Sequence, residues 1–321
     1  MMSGLSGALG ILADAAFWVA AIDIATPLLI AALGAILCGQ TGMLALGIEG
    51  IFTAGALAAL LSVHFGKGLW TVPLVAAAVG ALIGLISGTL TSPLQLPQRT
   101  TGLAVALLTT GLCQLVFGLQ FAADAPGTLP SGPIDFSWIA HLPAVATLTG
   151  LPYVGEFGRA VVGAPPLLYA ALLLALLASY VINRTPLGLA LRVSGENPSA
   201  VTAQGRSVHG LRIGASAVGS ALMGLGGSAL VLTSGAFSFS QLSGRGFAAL
   251  MLAIIAGWRV GRTLLAVLAF AMVDAYQIHL QHRLGDPVAL TLSPLLPYAI
   301  AFVILIATSR STMRRFPLSA D

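Results

Sequence analysis

The residues of this chain that could do chemistry are few and stand far apart. Three carboxylates, Asp23, Glu49 and Asp274, lie inside long apolar runs of the sequence. At the centre of a bilayer, an ionisable group costs about 2.5–3.5 kcal/mol or more unless it is paired or hydrated. Glu49 therefore has two interpretations. It lines a polar pathway, or it hydrogen-bonds to a neighbouring helix end and fixes a broken segment there.

Uncharged polar side chains and aromatic rings provide further candidates. Thr110 and Gln114 are four residues apart, so they share one face of a helix and could hydrogen-bond a neutral polar solute. Phe237 and Gln241 lie in a second polar segment and could supply an aromatic ring and an amide. With Glu49, these four residues are the candidate lining of a polar pathway. Packing alone is the alternative explanation for each of them.

Residue patterns typical of metal binding, catalysis or nucleotide binding are missing from the sequence. His279 and His282, with Asp286 nearby, have the spacing of helical ligands, but no third His or Cys accompanies them, so we predict no metal site. The single lysine, Lys67, lacks the preceding glycines of a P-loop. Without a catalytic arrangement, we expect no enzyme and no cofactor, and any ATP must be hydrolysed by another polypeptide. Scattered basic residues also argue against nucleic-acid binding.

Membrane-spanning helices must position these residues. Of the 321 residues, 57% are hydrophobic and 7% are charged, and the mean hydropathy is +0.98. Apolar runs of about twenty residues recur, the length of a helix that crosses the hydrocarbon core of a bilayer. We expect an all-α, polytopic bundle of about nine spans (eight to ten), with residues 1–321 as one transmembrane domain. The expected spans are residues 17–37, 43–63, 69–90, 101–122, 167–183, 210–232, 246–258, 263–281 and 294–309.

Two polar, glycine-rich segments are expected to break helices within the membrane. They cover residues 39–50 and 233–246, and the second precedes an unusually short apolar run. Irregular backbone at membrane depth is stable only where it is buried in protein or lines a cavity. Paired interruptions of this kind in the two halves of a transporter point to its pathway.

A polar stretch at residues 192–208 separates two apolar runs. Asn197 is a good N-cap, Pro198 suits the first helical turn and Gly205 suits the position after a helix. This pattern predicts a short helix over 198–204 that stands outside the bilayer, where another protein could bind it.

The arginines predict the orientation of the chain. If the loop at about 184–209 is cytoplasmic, most of the thirteen arginines lie on that side, while Lys67, Arg159 and Arg283 lie outside and Arg245 is ambiguous. This arrangement predicts a cytoplasmic C-terminus and a long external segment at about 123–165.

The stretch at 192–208 resembles the cytoplasmic coupling loop of ABC-importer permeases of the branched-chain amino acid and simple-sugar type. That family typically reads R-A-x-G-x-N-P-x-A-A-x-x-x-G-I. The matching residues are Gly195, Asn197, Pro198, Ala200 and Gly205. Val201 and Arg206 depart from the pattern.

Further motifs are similar to the purine-nucleoside and simple-sugar branch of that family. They are A-T-P-L-L-I-A-A-L-G at 25–34, L-G-I-E-G at 46–50, G-R-G-F-A-A at 244–249 and the Gly257-Trp258 pair. The branch usually has S-G-x-x-N-x-G-x-E-G, and this chain has Gly42 and Glu49 but Ala45 in place of the asparagine.

The resemblance implies a multi-pass subunit of a heteromeric importer in a bacterial plasma membrane. Its partners would be a separate ABC ATPase, a second permease subunit and an extracytoplasmic substrate-binding protein, and the cargo would be nucleosides or simple sugars. Closure of the ATPase would push on the 198–204 helix. The residues implied in this coupling are Gly195, Glu196, Asn197, Pro198, Ala200 and Gly205.

Two other readings stay open at this point. A branched-chain amino acid permease would carry a zwitterion, which favours helix N-termini and charged partners. An ion-coupled secondary transporter would need no ATPase and would use intramembrane acids such as Asp23, Glu49 and Asp274 as a relay. The capped helix at 198–204 would then have no assigned role.

Overall fold

The computed structural model describes residues 15–68, 70–121 and 166–284, and within these ranges the chain is α-helical without strands. In chain order the helices are α1 (Ala15–Gln40), α2 (Ile48–His64), α3 (Thr71–Thr91), α4 (Gln98–Gln120), α5 (Pro166–Arg184), α6 (Pro186–Glu196), α7 (Pro198–Ala203), α8 (Val208–Ser234), α9 (Phe239–Leu242), α10 (Arg245–Ile255) and α11 (Val260–Leu284).

Six of the described helices are long and apolar enough to cross a membrane, namely α1, α3, α4, α5, α8 and α11. The shorter apolar helices are α2 and the α9–α10 pair. These elements account for eight of the predicted spans and confirm the all-α, multi-pass architecture. The predicted span at 294–309 and the predicted external segment at 123–165 lie outside the described residues.

The centre of the bundle is built on α1 and α8. In the most apolar 18-residue stretch of α1, 94% of the residues are buried, whereas in the corresponding stretch of α4 only 11% are buried. Small residues allow the backbones to approach closely here: a Cβ added to Gly34 would collide with the carbonyl of Gly219, and one added to Gly55 with the backbone of Gly224. Lipid provides no hydrophobic drive for helix association, so such close packing is what holds membrane helices together.

The two predicted helix breaks are present, with boundaries that differ from the prediction. The first is narrower than residues 39–50, because α1 continues to Gln40 and α2 begins at Ile48. Gly42 supplies the left-handed backbone there, with φ of +76°. The second break contains α9 and ends at Gly244, which has φ of +83°. The predicted span 246–258 ends early, at Ile255, because Gly257 and Trp258 form a turn with positive φ.

The polar stretch holds two helices where the sequence predicted one. The predicted helix at 198–204 is confirmed as α7, which ends at Ala203. Helix α6 precedes it and was not predicted, since the whole of 184–209 was interpreted as a loop around one helix. Its local signals are clear in the structure: Thr185 accepts a hydrogen bond from the Gly188 N–H at 3.2 Å, and Pro186 occupies the first turn.

Candidate functional site

One end of the bundle gathers the ends of α1, α3 and α5 and the beginnings of α4, α8 and α11. Two contacts fix the register at this end: the Cys38 Sγ lies 3.7 Å from the Ala215 carbonyl, and the Ser92 Oγ lies 2.9 Å from the His209 Nδ1. The arginines that lie at this end are Arg99, Arg184, Arg192, Arg206, Arg212, Arg259 and Arg262. Lys67 follows α2 at the opposite end. The described residues thus carry the charge asymmetry that the sequence predicted.

Helices α6 and α7 stand at the arginine-rich end. The Asn197 Oδ1 accepts from the Ala200 N–H at 3.3 Å and from the Ser199 hydroxyl at 2.6 Å, which caps α7. Gly205 has φ of +74°, so it terminates the turn after α7 in a conformation that favours glycine. Val201 anchors α7 to the bundle with 2% of its surface exposed, while residues 196–199 and 202–207 are exposed. A capped polar surface is therefore exposed at this end of the bundle.

The six residues that the resemblance implied in coupling do not all play the same structural part. Glu196, Asn197 and Pro198 are exposed. Gly195, by contrast, faces the bundle, where an added Cβ would lie 2.6 Å from the Gln40 carbonyl oxygen and 2.9 Å from the Gly42 nitrogen. Gly195 therefore brings α6 into direct backbone contact with the segment between α1 and α2.

Glu49 caps the N-terminus of α10. Its Oε1 accepts from the Gly244 N–H at 2.6 Å and its Oε2 from the Phe247 N–H at 3.1 Å, across nearly two hundred residues of sequence. An anion suits this position because the first N–H groups of a helix have no partner within the helix and carry partial positive charge. Gly246 allows the approach, since an added Cβ would lie 2.9 Å from the Glu49 Cα. Both oxygens of this carboxylate are thus engaged by α10.

A pair of opposite charges lies beside this cap. Arg245, the first residue of α10, places its guanidinium 3.9 Å from the Asp274 carboxylate of α11, and each side chain is about one-fifth exposed. A charge inside a membrane is stable only when it is paired or hydrated. The N-terminal end of α10 is called its head below. The two carboxylates near it both have partners in this chain: backbone N–H groups for Glu49 and the Arg245 guanidinium for Asp274.

The uncharged pathway candidates lie on two neighbouring elements. Thr110 is half-buried and Gln114 is exposed on α4, the helix whose surface is least covered. The same helix packs on α2, where an added Cβ at Gly50 would lie 3.0 Å from the Thr109 Cβ. Gln241 is half-buried on α9, between α8 and the head of α10.

Phe237 belongs to a cluster of aromatic side chains. Its ring stacks on Phe117 of α4 with centroids 5.3 Å apart, and Phe239 lies edge-on to both at 5.2 and 5.4 Å. Such offset and edge-on pairs stabilise packing beyond the area that they bury. The cluster joins α4 to the second helix break.

Gln40 and Trp258 form a contact that the sequence interpretation did not predict. The Gln40 Nε2 donates to the Trp258 carbonyl oxygen at 2.9 Å, and Gly39 leaves room for the Trp258 ring, which an added Cβ would overlap. Trp258 has φ of +59°, a conformation that few side chains adopt. The Gly257-Trp258 motif was the available signal, but motif similarity does not reveal its contact on α1.

Comparison with known proteins identifies relatives of this chain. The family model for branched-chain amino acid transport system permease components matches residues 19–316. A Haloferax volcanii protein whose name assigns it to glucose transport as an ABC permease is 30% identical over 288 residues, covering 87% of this chain and 80% of the relative. A guanosine ABC transporter permease of Bacillus subtilis is 28% identical over 261 residues, and a nucleoside ABC transporter permease of Lactococcus lactis is 29% identical over 260 residues, each covering 79% of both chains.

The family match extends over almost the whole chain, including both helix breaks and the capped helix at the arginine-rich end. Its relatives are permease components, and its own helices are long and apolar enough to cross a membrane several times. The chain therefore belongs to the family of branched-chain amino acid transport system permease components, and it is a multi-pass permease subunit of an ABC importer.

Proposed function

We propose that this chain forms part of the translocation pathway of an ATP-driven importer for nucleosides or simple sugars. A separate ATPase subunit binds the exposed surface of α6 and α7 and drives the transport cycle. A second permease subunit and an extracytoplasmic substrate-binding protein complete the complex. The arginine-rich end and the C-terminus face the cytoplasm of a bacterial cell.

The observation that carries this proposal is the capped α7 helix at the arginine-rich end. Basic residues concentrate on the cytoplasmic side of membrane proteins, which is also where ATP is available. A helix that Asn197 caps and Val201 anchors keeps its shape under an applied load, while its exposed residues can bind a partner. Nucleotide-driven closure of an ATPase would then rock the bundle as a rigid body.

The charges near the head of α10 support a neutral cargo. Glu49 is bound to backbone N–H groups and Asp274 to Arg245, so neither carboxylate is left to pair with a zwitterion. The relatives named for guanosine, nucleosides and glucose carry uncharged polar solutes. These observations favour nucleosides or sugars over branched-chain amino acids, although the family description names the latter.

The polar face of α4 supports the location of the pathway. Gln114 is exposed and Thr110 half-exposed on α4, among exposed leucines such as Leu107 and Leu112. An exposed amide is unfavourable against lipid but suits a hydrated passage or a polar solute. We assign Thr110, Gln114 and Gln241 to the pathway and Phe237 to the packing that shapes it.

The test replaces Glu196 or Asn197 with arginine and measures two properties of the purified complex. They are co-purification of the ATPase subunit and the ATP-driven uptake of tritiated guanosine into liposomes. The matched control is Gly68→Arg, which places the same charge at the opposite end of the bundle, where an added Cβ meets open space.

We expect the Glu196 and Asn197 variants to reduce ATPase binding or uptake by at least about tenfold, which is the effect of removing one well-packed interface contact. The Gly68→Arg control should resemble the wild type. Normal assembly and uptake in both variants would show that the ATPase does not act through this surface.

A further inference from the structure

The segment that joins α1 to α2 touches three parts of the molecule that are far apart in sequence. We call residues 39–49 the connector. It includes the last residues of α1, the irregular stretch between the helices and the first turn of α2. Its partners are α6 at the arginine-rich end and both ends of α10.

At its near end the connector meets α6 through backbone atoms. Gly195 and Gly42 lie so close that a Cβ on either would lie within 3.2 Å of atoms of the other segment. No flexible side chain separates the two. Because protein interiors are close-packed and bistable, a shift of α6 must displace the connector with it.

At the same level the connector holds the C-terminal end of α10. The Gln40 Nε2 donates to the Trp258 carbonyl at 2.9 Å, and the Trp258 ring covers Gly39. The turn that follows α10 is formed by Gly257 and Trp258, both with positive φ.

At its far end the connector holds the N-terminal end of α10. Glu49 binds the N–H groups of Gly244 and Phe247 with both carboxylate oxygens. Gly244, with φ of +83°, is the point where α9 ends and α10 begins. Helix α10 is thus fixed to the connector at both ends and lies between two glycine-containing turns.

A small cavity borders the connector. Its volume is about 30 Å³, and its lining includes Met43, Ala45 and Gly47 of the connector facing Ser87 and Ser216. The lining is mainly apolar, so close-packed side chains do not fully enclose the connector on this side.

We propose that the connector transmits movement of α6 and α7 to α10, with Gln40 and Glu49 as positioning residues at its two ends. The proposal rests on the function proposed above, because an ATPase must move α6 and α7. Glu49 acts here through α10 and not as a ligand of the solute. Displacement of α10 opens or closes the second helix break, where Gln241 lies.

The test is hydrogen–deuterium exchange on the complete importer in lipid nanodiscs, with and without a non-hydrolysable ATP analogue. Peptides from residues 186–203, 39–47 and 235–247 report on the coupling helices, the connector and the head of α10. The variant is Glu49→Gln, whose amide can accept one N–H but presents a donor to the other. Asp23→Asn is the matched control, since it neutralises a half-buried carboxylate of α1.

In the wild type and in Asp23→Asn we expect the nucleotide analogue to change exchange in all three regions. In Glu49→Gln we expect residues 235–247 to exchange about tenfold faster, consistent with the loss of a charge-assisted hydrogen bond. Exchange there should no longer respond to nucleotide, while residues 186–203 and 39–47 still respond.

Two results would contradict different parts of the account. If residues 186–203 do not respond to nucleotide in the wild type, the proposed function is wrong. Exchange in residues 186–203 could respond to nucleotide while exchange in residues 235–247 does not, or while residues 235–247 respond equally in the wild type and in Glu49→Gln. Either result would contradict the connector proposal but not the proposed function.

A second variant keeps the connector proposal testable if Glu49→Gln does not assemble. Gln40→Met removes only the hydrogen bond to Trp258 at the other end of the connector. In the wild type we expect residues 250–259, at the C-terminal end of α10, to respond to nucleotide as well. In Gln40→Met we expect that response to disappear while the response of residues 186–203 remains. A full response of residues 250–259 in this variant would overturn the proposal.

Discussion

At the scale of residues, two side chains cap helices: Asn197 caps the start of α7, and Glu49 caps the start of α10. The cap of α7 follows from the spacing of Asn197, Pro198 and Gly205, because capping hydrogen bonds reach only a few residues along the chain. Glu49 could be recognised as an unusual acid in an apolar run. Its partner at Gly244 could not, since no local pattern connects positions so far apart in sequence.

The cap of α7 leads to a prediction about Asn197. Asn197→Ala removes the side-chain oxygen that binds the Ala200 N–H, which destabilises the helix start by about 1 kcal/mol. We expect ATP-driven uptake to fall several-fold in the reconstituted importer, while the complex still assembles. Asn197→Ser is the matched control because serine is an equally good cap, and it should retain uptake. Equal uptake in the alanine and serine variants would mean that the cap does not matter for coupling.

The exposed amide of α4 leads to a second prediction. Gln114→Leu removes a hydrogen-bonding group that we assign to the pathway, so uptake of tritiated guanosine should fall by about tenfold or more, as a polar site loses a specific partner. Basal ATP hydrolysis should stay unchanged. Leu177→Ala on the exposed face of α5 serves as the control. A wild-type uptake rate in Gln114→Leu would remove this residue from the pathway.

At the scale of elements, the apolar runs located the long helices well, because each must cover the thickness of a bilayer. The interruption at residues 41–47 and the one before Gly244 were also predictable from glycine and polar content. Helix α6 was not predictable from its own sequence. Thr185 and Pro186 cap its start, but both residue types are also common in loops, so the helix depends on packing of the following residues against the bundle. The joining of α10 to the connector depends on tertiary packing that no single element specifies.

Close glycine contacts between α8 and its neighbours lead to a prediction about stability. An added Cβ at Gly224 would lie 2.5 Å from the Ala76 carbonyl oxygen of α3, so Gly224→Val must push the two helices apart. Overpacking of this kind costs about 1–3 kcal/mol or more. We expect a lower thermal midpoint of the purified complex in size-exclusion assays after heating.

The control for this prediction lies on the same helix. An added Cβ at Gly214 meets no atom within 4 Å, so Gly214→Val should leave the thermal midpoint nearly unchanged. If the two valine variants were equally stable, the close approach of α3 and α8 would not contribute to holding the bundle together.

At the scale of the whole molecule, the distribution of charge connects the fold to the direction of transport. Most arginines of the described residues gather where α6 and α7 stand, and the carboxylates near the head of α10 have partners within the chain. One end is thus suited to a protein partner, and the polar groups that we assign to the pathway, Thr110, Gln114 and Gln241, are uncharged. This combination fits a pathway for neutral solutes that is driven from the cytoplasmic end.

The central claim is that a separate ATPase drives a neutral solute through this chain. Its most direct test is uptake of tritiated guanosine into liposomes that contain the complete importer, with ATP supplied on the ATPase side. We predict uptake that requires ATP and the ATPase subunit, that excess leucine does not inhibit, and that sodium or proton gradients cannot replace. Uptake driven by an ion gradient without ATP, or ATP-driven uptake of leucine in place of nucleosides and sugars, would contradict the account.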